Sequence, residues 1–294
     1  MQISANSVSI EVDDQGSPNG EPLLMIMGLG MQLIAWPQDL VQMLISRGYR
    51  VIRLDNRDAG LSQGFDAQGV PNLALAAAKY TLHLPVRGPY SLADMAADSL
   101  GVLDALGVAR AHVVGASMGG MIAQHMAFTQ PQRVKSLTLM MTSTGARRLP
   151  QASLKVRGAL LERRPAADDA EATVARLERV FTLIGSPAFR PEPQAFHERL
   201  KASVARSYRP AGVARQLIAV AADGDRSSRV ARIAAPTHII HGQADPLVPV
   251  AAAHDLHARI AGSTLDLVDG MGHDLPALLW PRFAQGIAEN AARA

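Results

Sequence analysis

The sequence predicts an α/β fold: a mostly parallel central sheet flanked by helices and interrupted by one all-helical insertion. Three observations carry this. Leu23–Met27 is a continuous apolar run and His112–Val114 a short one, the pattern of strands buried on both faces of a parallel sheet, and Tyr49–Leu54, Val134–Met141 and Thr237–His241 also read as strands. Stretches with helical spacing alternate with them, as strand–helix–strand units require. From about Gly145 to Ile233 the alternation stops and only helical periodicity is left.

Taken in order, Val8–Val12 alternates apolar and polar residues, which predicts an edge strand. Leu23–Met27 follows and stops at Gly28. An amphipathic stretch, Trp36–Ser46, ends near Gly48 and leads into Tyr49–Leu54. Gln63–Pro89 holds Gly64, Gly69, Pro71, Pro85, Gly88 and Pro89 and reads as one long irregular loop. Ser91–Leu106 is a helix with Ser91 as N-cap and Gly107 as its stop. The strand His112–Val114, the helix Met118–Phe128 (Pro131 beyond its end) and the strand Val134–Met141 come next. Helices are predicted over Leu154–Leu161, Ala170–Ile184, Ala195–Tyr208 and Ala211–Ala221, punctuated by Pro165, Pro187, Pro191, Pro193 and Pro210. Thr237–His241 and Thr264–Val268 resume the sheet around a helix at Val250–Ile260, and a helix at Leu278–Ala291 closes the chain. Residues 1–144 and 234–294 thus form the core domain, and residues 145–233 the insertion.

The 294 residues suit one large domain with an insertion. With 48% apolar and 19% charged residues the chain can bury a sizeable core. The net charge is only +3. The basic clusters Arg147-Arg148 and Arg163-Arg164 are short and read as solvated surface charge, not the concentrated basic face that nucleic acid requires. Absence of cysteine excludes disulfides, thiolate nucleophiles and cysteine-ligated metals. The opening residues Met1–Asn6 lack the features of a secretory signal. No apolar run approaches the roughly 20 residues that span a bilayer. A soluble, cytoplasmic protein without a membrane or nucleic-acid partner is the expectation.

Gly115-Ala116-Ser117-Met118-Gly119 matches G-x-S-x-G between a strand and a helix. A serine on so tight a turn is strained, and Gly115 and Gly119 leave room for neighbouring backbone. Its hydroxyl would project at a helix N-terminus, where developing negative charge is favoured. Such a serine needs a base. His273, in Gly270-Met271-Gly272-His273-Asp274, follows the last strand, on the rim where loops surround the crevice of a parallel sheet. His112, His238 and His241 lie in strands and read as packing. His125, His197, His254 and His257 lie on helices, and nothing orients His83. Asp245, after Thr237–His241, supplies the carboxylate that fixes the base's tautomer. The order Ser117, Asp245, His273 suits this architecture. Asp223 and Asp225 sit at the end of the insertion, and Asp274 reads as a loop-stabilising residue. No metal or organic cofactor is required.

Acyl transfer builds charge on a carbonyl oxygen, and backbone N–H donors stabilise it. The residue after the nucleophile, Met118, should give one donor, and Leu29 in Met27-Gly28-Leu29-Gly30-Met31 the other. Gly28, Gly30, Met31, Met141 and Met271 are candidates for a substrate pocket. Methionine's flexibility suits irregular apolar space and predicts an acyl site tolerant of several ester shapes.

Met27-Gly28, Asp55-Asn56-Arg57-Asp58-Ala59-Gly60-Leu61-Ser62, the Ser117 pentapeptide and Gly270–His273 together resemble the α/β-hydrolase superfamily. They look closest to carboxylesterases of the aclacinomycin methylesterase type. Met27 stands where many members carry histidine, a departure that leaves the backbone donor intact. The resemblance implies an α/β-hydrolase fold, a Ser117–His273–Asp245 triad, a helical cap formed by the insertion and a small-molecule ester as substrate. A cofactor-free perhydrolase or haloperoxidase, an acyltransferase and a C–C bond hydrolase use similar triads. A non-catalytic ligand receptor on the same fold would have no need of all three residues.

Overall fold

In the computed structural model, which describes residues 1–162, 165 and 169–294, the chain opens with a hairpin. Asn6 and Ser7 both take positive φ (49° and 61°), the twist that a two-residue hairpin turn needs. They fold β1 (Gln2–Ala5) back on β2 (Val8–Gln15), with Ala5 opposite Val8. Then follow β3 (Glu21–Ile26), α1 (Gln38–Ile45), β4 (Tyr49–Leu54), α2 (Leu73–Thr81), α3 (Leu92–Ala105), β5 (Ala111–Ala116), α4 (Met118–Thr129) and β6 (Val134–Met140). Helices α5 (Leu154–Leu161), α6 (Ala170–Ile184), α7 (Pro193–Arg206), α8 (Pro210–Asp223) and α9 (Ser227–Val230) precede β7 (Thr237–Gly242). The chain ends through α10 (Ala251–Arg259), β8 (Thr264–Val268) and α11 (Trp280–Ala291).

The eight strands form one sheet in the order β1-β2-β4-β3-β5-β6-β7-β8. β2 is antiparallel to both neighbours and the remaining pairs are parallel. The expected edge strand is therefore an interior one: β1 takes the edge, because Gln2–Ala5 is too short and polar to announce itself without its turn. The loop expected over Gln63–Pro89 is corrected too. It contains α2, capped by the Asn72 side chain, which accepts from Leu75 N–H. None of its residues is buried, so no apolar stripe betrays it, and alanine-rich propensity carries the helix. The capping box of Ser91 with Asp94 and the left-handed Gly107 (φ 68°) bound α3 as expected. Helices α7 and α8 begin on Pro193 and Pro210, whose fixed φ suits the first turn. The cluster Arg163-Arg164 lies outside the described residues.

Successive strand residues point to opposite faces, and both faces are covered. Leu24, Ile26, Ile52, Val113, Leu139 and Ile239 pack towards α3, α4 and α10. Leu23, Met25, Val51, Val114, Met140 and Ile240 pack towards α1 and α11. This double burial explains the unbroken apolar runs. Among the described residues no helix is long and apolar enough to cross a membrane.

The helical segment leaves and rejoins the sheet at one point. Gly145 and Gly224 are both left-handed (φ 74° and 68°), and a Cβ on Gly145 would collide with the Gly224 carbonyl. Buried Arg226 fastens the crossing. It pairs with Asp223, donates to Gln124 Oε1 and the Ser143 carbonyl, and its own N–H reaches Thr144 O at 2.8 Å. Val230 and Ile233 beyond it pack in the core.

His112, His238 and His241 pack within the sheet as expected, and burial pushes all three imidazoles down from their ordinary range. Below the unfolded value of about 6.5 the unfolded chain binds more protons than the folded one. Stability is then lost as pH falls from 6.5 through the folded values. The melting temperature should therefore be lower at pH 5 than at pH 7; a flat or rising profile over that window would contradict neutral burial.

Candidate active site

Strand β5 delivers Ser117 at φ 54°, ψ −119°, a region that non-glycine residues occupy only under constraint. The constraint is visible. Ser117 N–H donates to Met140 O (2.9 Å), and the Ser117 carbonyl accepts from Thr142 Oγ1 (2.7 Å) and Gly120 N–H (3.0 Å). A Cβ on Gly115 would strike the Gly119 carbonyl, and one on Gly119 would strike the Ile26 carbonyl. Both obstacles are backbone and cannot rotate away. Gly119→Ala should therefore destabilise the fold by about 3 kcal/mol, the upper end of ordinary overpacking. A urea midpoint within error of wild type would refute the tight-turn account.

The loop after β8 carries His273. Its N–H donates to Ile184 O at the end of α6 (2.8 Å), and Gly272 N–H donates to Ser186 Oγ (2.9 Å). Asp274 accepts from the Ser186 N–H and hydroxyl, the loop-stabilising part expected of it. Its burial holds its pKa above the ordinary carboxylate range.

The loop after β7 carries Asp245. Oδ1 accepts the N–H groups of Leu247 (2.9 Å) and Val248 (2.8 Å), which leaves Oδ2 for His273 Nδ1 at 2.7 Å. His273 Nε2 lies 3.0 Å from Ser117 Oγ. A carboxylate only accepts, so Nδ1 carries the proton and Nε2 presents its lone pair to the serine hydroxyl. The Asp245 side chain is fully buried and that of His273 is 7% exposed. Buried His241 donates to Val248 O (2.7 Å) and sits 3.6 Å from Asp245 Oδ2, bracing the acid loop. The structure thus brings the three nominated residues together. The competing acids are elsewhere: Asp223 pairs with His125 and Arg226, and Asp225 accepts from Ser227 N–H. His83 is exposed and meets Arg147.

Beside the serine runs the loop after β3. Gly28 abuts it so closely that a Cβ there would lie 3.1 Å from Ser117 Cβ. Met31 N–H closes a turn on Gly28 O (3.1 Å), with Gly30 at φ 67°. Among the described residues, neither the Leu29 N–H nor the Met118 N–H donates to a protein acceptor. Met118 also begins α4, so its N–H stands at the positive end of that helix. Met27, Met141 and Met271 pack together in the buried cluster facing α1 and α11, with Met31 against it. Met271 is wholly buried and Met141 is held at φ 42°. Among the described residues no cluster of His, Asp or Glu is arranged to hold a metal ion.

A set of buried polar contacts binds this site to the helical segment, and sequence reasoning missed most of its members. Asn56 Nδ2 donates to Met27 O (2.9 Å). Asp55 accepts from Leu33 N–H (2.6 Å) and from Arg206 on α7 (2.7 Å). Arg57 pairs doubly with Asp98, and Asp58 doubly with Arg215 on α8. Gln216 accepts from Gly30 N–H and donates to Arg57 O. The Asp55–Ser62 motif flagged one side of these pairs. The partners on α7 and α8 lie some 150 residues away and carry no local signal.

Comparison with known proteins identifies the family. A family model described as the alpha/beta hydrolase fold matches residues 21–277. Rhodomycin D methylesterase DauP of Streptomyces sp. (strain C5) is 29% identical over 99% of this chain and 98% of its own. The 2-hydroxy-6-oxononadienedioate/2-hydroxy-6-oxononatrienedioate hydrolase of Paraburkholderia xenovorans (strain LB400) is 28% identical over 90% of this chain and 84% of its own. The enol-lactonase from Burkholderia xenovorans LB400 superposes with a TM-score of 0.75 at 19% identity, covering 99% of this chain and 100% of that one, a likeness of fold. The methylesterase resemblance carried by the motifs is thereby matched along the whole chain, which belongs to the alpha/beta hydrolase family.

Proposed function

We propose that this chain is a serine carboxylesterase acting through an acyl-enzyme, with Ser117 as nucleophile, His273 as general base and Asp245 as its orienting acid. The observation that carries the reading is the unbroken hydrogen-bonded line from Ser117 Oγ through His273 to Asp245, 3.0 and 2.7 Å long, on a strained strand–helix turn. Ser117 Oγ attacks the ester carbonyl carbon while His273 Nε2 takes the hydroxyl proton. The carbonyl π electrons move to oxygen, and the Leu29 and Met118 N–H groups stabilise the charge. The carbonyl re-forms, the C–O bond to the alcohol breaks, and His273 protonates the departing alcohol. Water, deprotonated by the same imidazole, then releases the acid and restores the serine.

Within residues 145–233, the stretch between the touching Gly145 and Gly224 acts as a cap over this centre, while Val230 and Ile233 pack in the core. The full-length likeness to rhodomycin D methylesterases favours a methyl ester as substrate. Gly28 keeps the space beside the serine free of a side chain, whereas Gly30 is packed against Val213 of α8. Half-buried Met31 borders the acyl site, and Met141 and Met271, buried behind it, give it a deformable wall. Comparable rates on p-nitrophenyl acetate, butyrate and octanoate would fit that site. A sharp optimum that Met→Leu changes leave in place would not.

Diethyl p-nitrophenyl phosphate tests the nucleophile directly. One diethylphosphoryl group per chain, mapped to Ser117 by peptide mass and accompanied by loss of p-nitrophenyl butyrate hydrolysis, is expected. A label on another residue, or inactivation without one, would overturn the assignment.

A further inference from the structure

We infer that Gln216, carried by α8 of the helical insertion, is a positioning residue for the hydrolytic reaction, setting the turn that presents the Leu29 N–H to the substrate oxyanion. The inference rests on the serine-esterase reading and adds to it a residue outside the triad and the donors themselves.

The Gln216 side chain is completely buried, and both ends of its amide are used. Oε1 accepts the Gly30 N–H at 2.7 Å, and Nε2 donates to the Arg57 carbonyl at 2.7 Å. One side chain therefore links the loop after β3 to the loop after β4. Its target is the central peptide of the turn Gly28–Met31. The Leu29 N–H belongs to the peptide unit whose carbonyl, that of Gly28, accepts from Met31 N–H. The next unit carries the Gly30 N–H that Gln216 holds. The two units flanking the Leu29 Cα are thus fixed, one by the turn's own bond and the other by the insertion.

The second bond is needed because of the residue at the third turn position. Gly30 is at φ 67° and Leu29 is not among the positive-φ residues, the pattern of a type II turn. Glycine tolerates positive and negative φ alike, so the central peptide is free to flip to the type I arrangement unless something selects one state. An acceptor at 2.7 Å, on a side chain that is itself fully buried, makes that selection. Alpha-8 also presses on the turn: a Cβ at Gly30 would lie 2.7 Å from Val213 Cγ2. The neighbouring Arg215, paired doubly with Asp58, keeps the helix in register. The insertion therefore completes the oxyanion site instead of merely covering it.

The test compares Gln216→Leu, close in size but unable to hydrogen-bond, with Gln216→Asn, one methylene too short to span both partners. Kinetics are measured well below each variant's unfolding midpoint, on protein shown to be native by circular dichroism. In the leucine variant kcat should fall by about 30- to 100-fold with KM within threefold, approaching the loss of a whole oxyanion donor. The asparagine variant should lose at least about tenfold. Affinity for an aryl trifluoromethyl ketone, which adds Ser117 Oγ to its carbonyl and places a charged oxygen in the same site, should weaken by the same factor as kcat/KM. A purely structural glutamine would lower the melting temperature and leave both readouts unchanged. Wild-type kcat and ketone affinity in whichever variants fold, with Ser117→Ala inactive, would overturn the inference and leave the esterase reading standing. Activity retained in Ser117→Ala would remove both.

Discussion

Ser117→Ala should lower kcat for p-nitrophenyl butyrate by about a millionfold, to the background set by binding and the oxyanion donors alone. KM should change little, because the hydroxyl contributes to bond making and not to holding the substrate. His273→Ala should cost nearly as much, and the double variant no more than either single one, since nucleophile and base act as a unit. Asp245→Asn is expected to cost about 10,000-fold. The asparagine amide would face His273 Nδ1 at the 2.7 Å now spanned by Oδ2 and would favour the tautomer that turns a proton towards the serine. Additive losses would sink the single-unit account. So would substantial activity in the alanine variant, with loss confined to Asp245.

Arg215→Met should destabilise the fold by about 3–5 kcal/mol, the cost of leaving one member of a buried ion pair alone. Arg215 and Asp58 have side chains only 1% and 0% exposed and meet through two bonds of 2.7 Å. Burial by itself would raise the Asp58 pKa. The Arg215 guanidinium, the Phe65 N–H and the Tyr90 hydroxyl outweigh it and hold the carboxylate below its ordinary range. With methionine at position 215 the guanidinium is gone and burial acts with less opposition. The pair's contribution is fully present above the unfolded carboxylate value of about 3.9 and is lost as pH falls through the depressed folded value. Replacing both partners, as in Asp58→Leu with Arg215→Met, should recover part of the loss. Urea denaturation at pH 7 decides: a wild-type midpoint in Arg215→Met would mean that the pair does not dock α8.

Local signals account for what could be read before any coordinates. The buried strands announce themselves because both sheet faces are covered, so Leu23–Met27 and Thr237–His241 need no alternation. The elbow is legible because a strand, two glycines and a helix start must coincide around Ser117. Asp245 and His273 are legible because each follows a strand on the same rim. Strand β1 is not, since Gln2–Ala5 is made a strand by pairing, and its turn uses Asn-Ser instead of the more telling Asn-Gly. Helix α2 is not, since Leu73–Thr81 buries no residue and has no stripe to display. Gln216, Arg215 and Arg206 are the instructive omissions. Each looks like an ordinary polar residue on an amphipathic helix, and its meaning lies in a loop some 150 residues back. Burial of polar groups pairs donors with acceptors wherever the fold brings them together, and no window along the chain contains both halves.

The crossing at Gly145 and Gly224 has a consequence for how such enzymes diversify. The two stubs touch, so whatever joins them is a cassette with abutting ends. Lengthening a connection costs free energy only logarithmically, and segments of different size can be grafted there without altering the strand order beneath. A graft that supplied only a lid would nevertheless arrive incomplete. It would need a helix bringing an arginine to Asp58 and a glutamine to Gly30, so that any exchange of the cassette is tethered to the two side chains by which α8 grips the loops after β4 and β3.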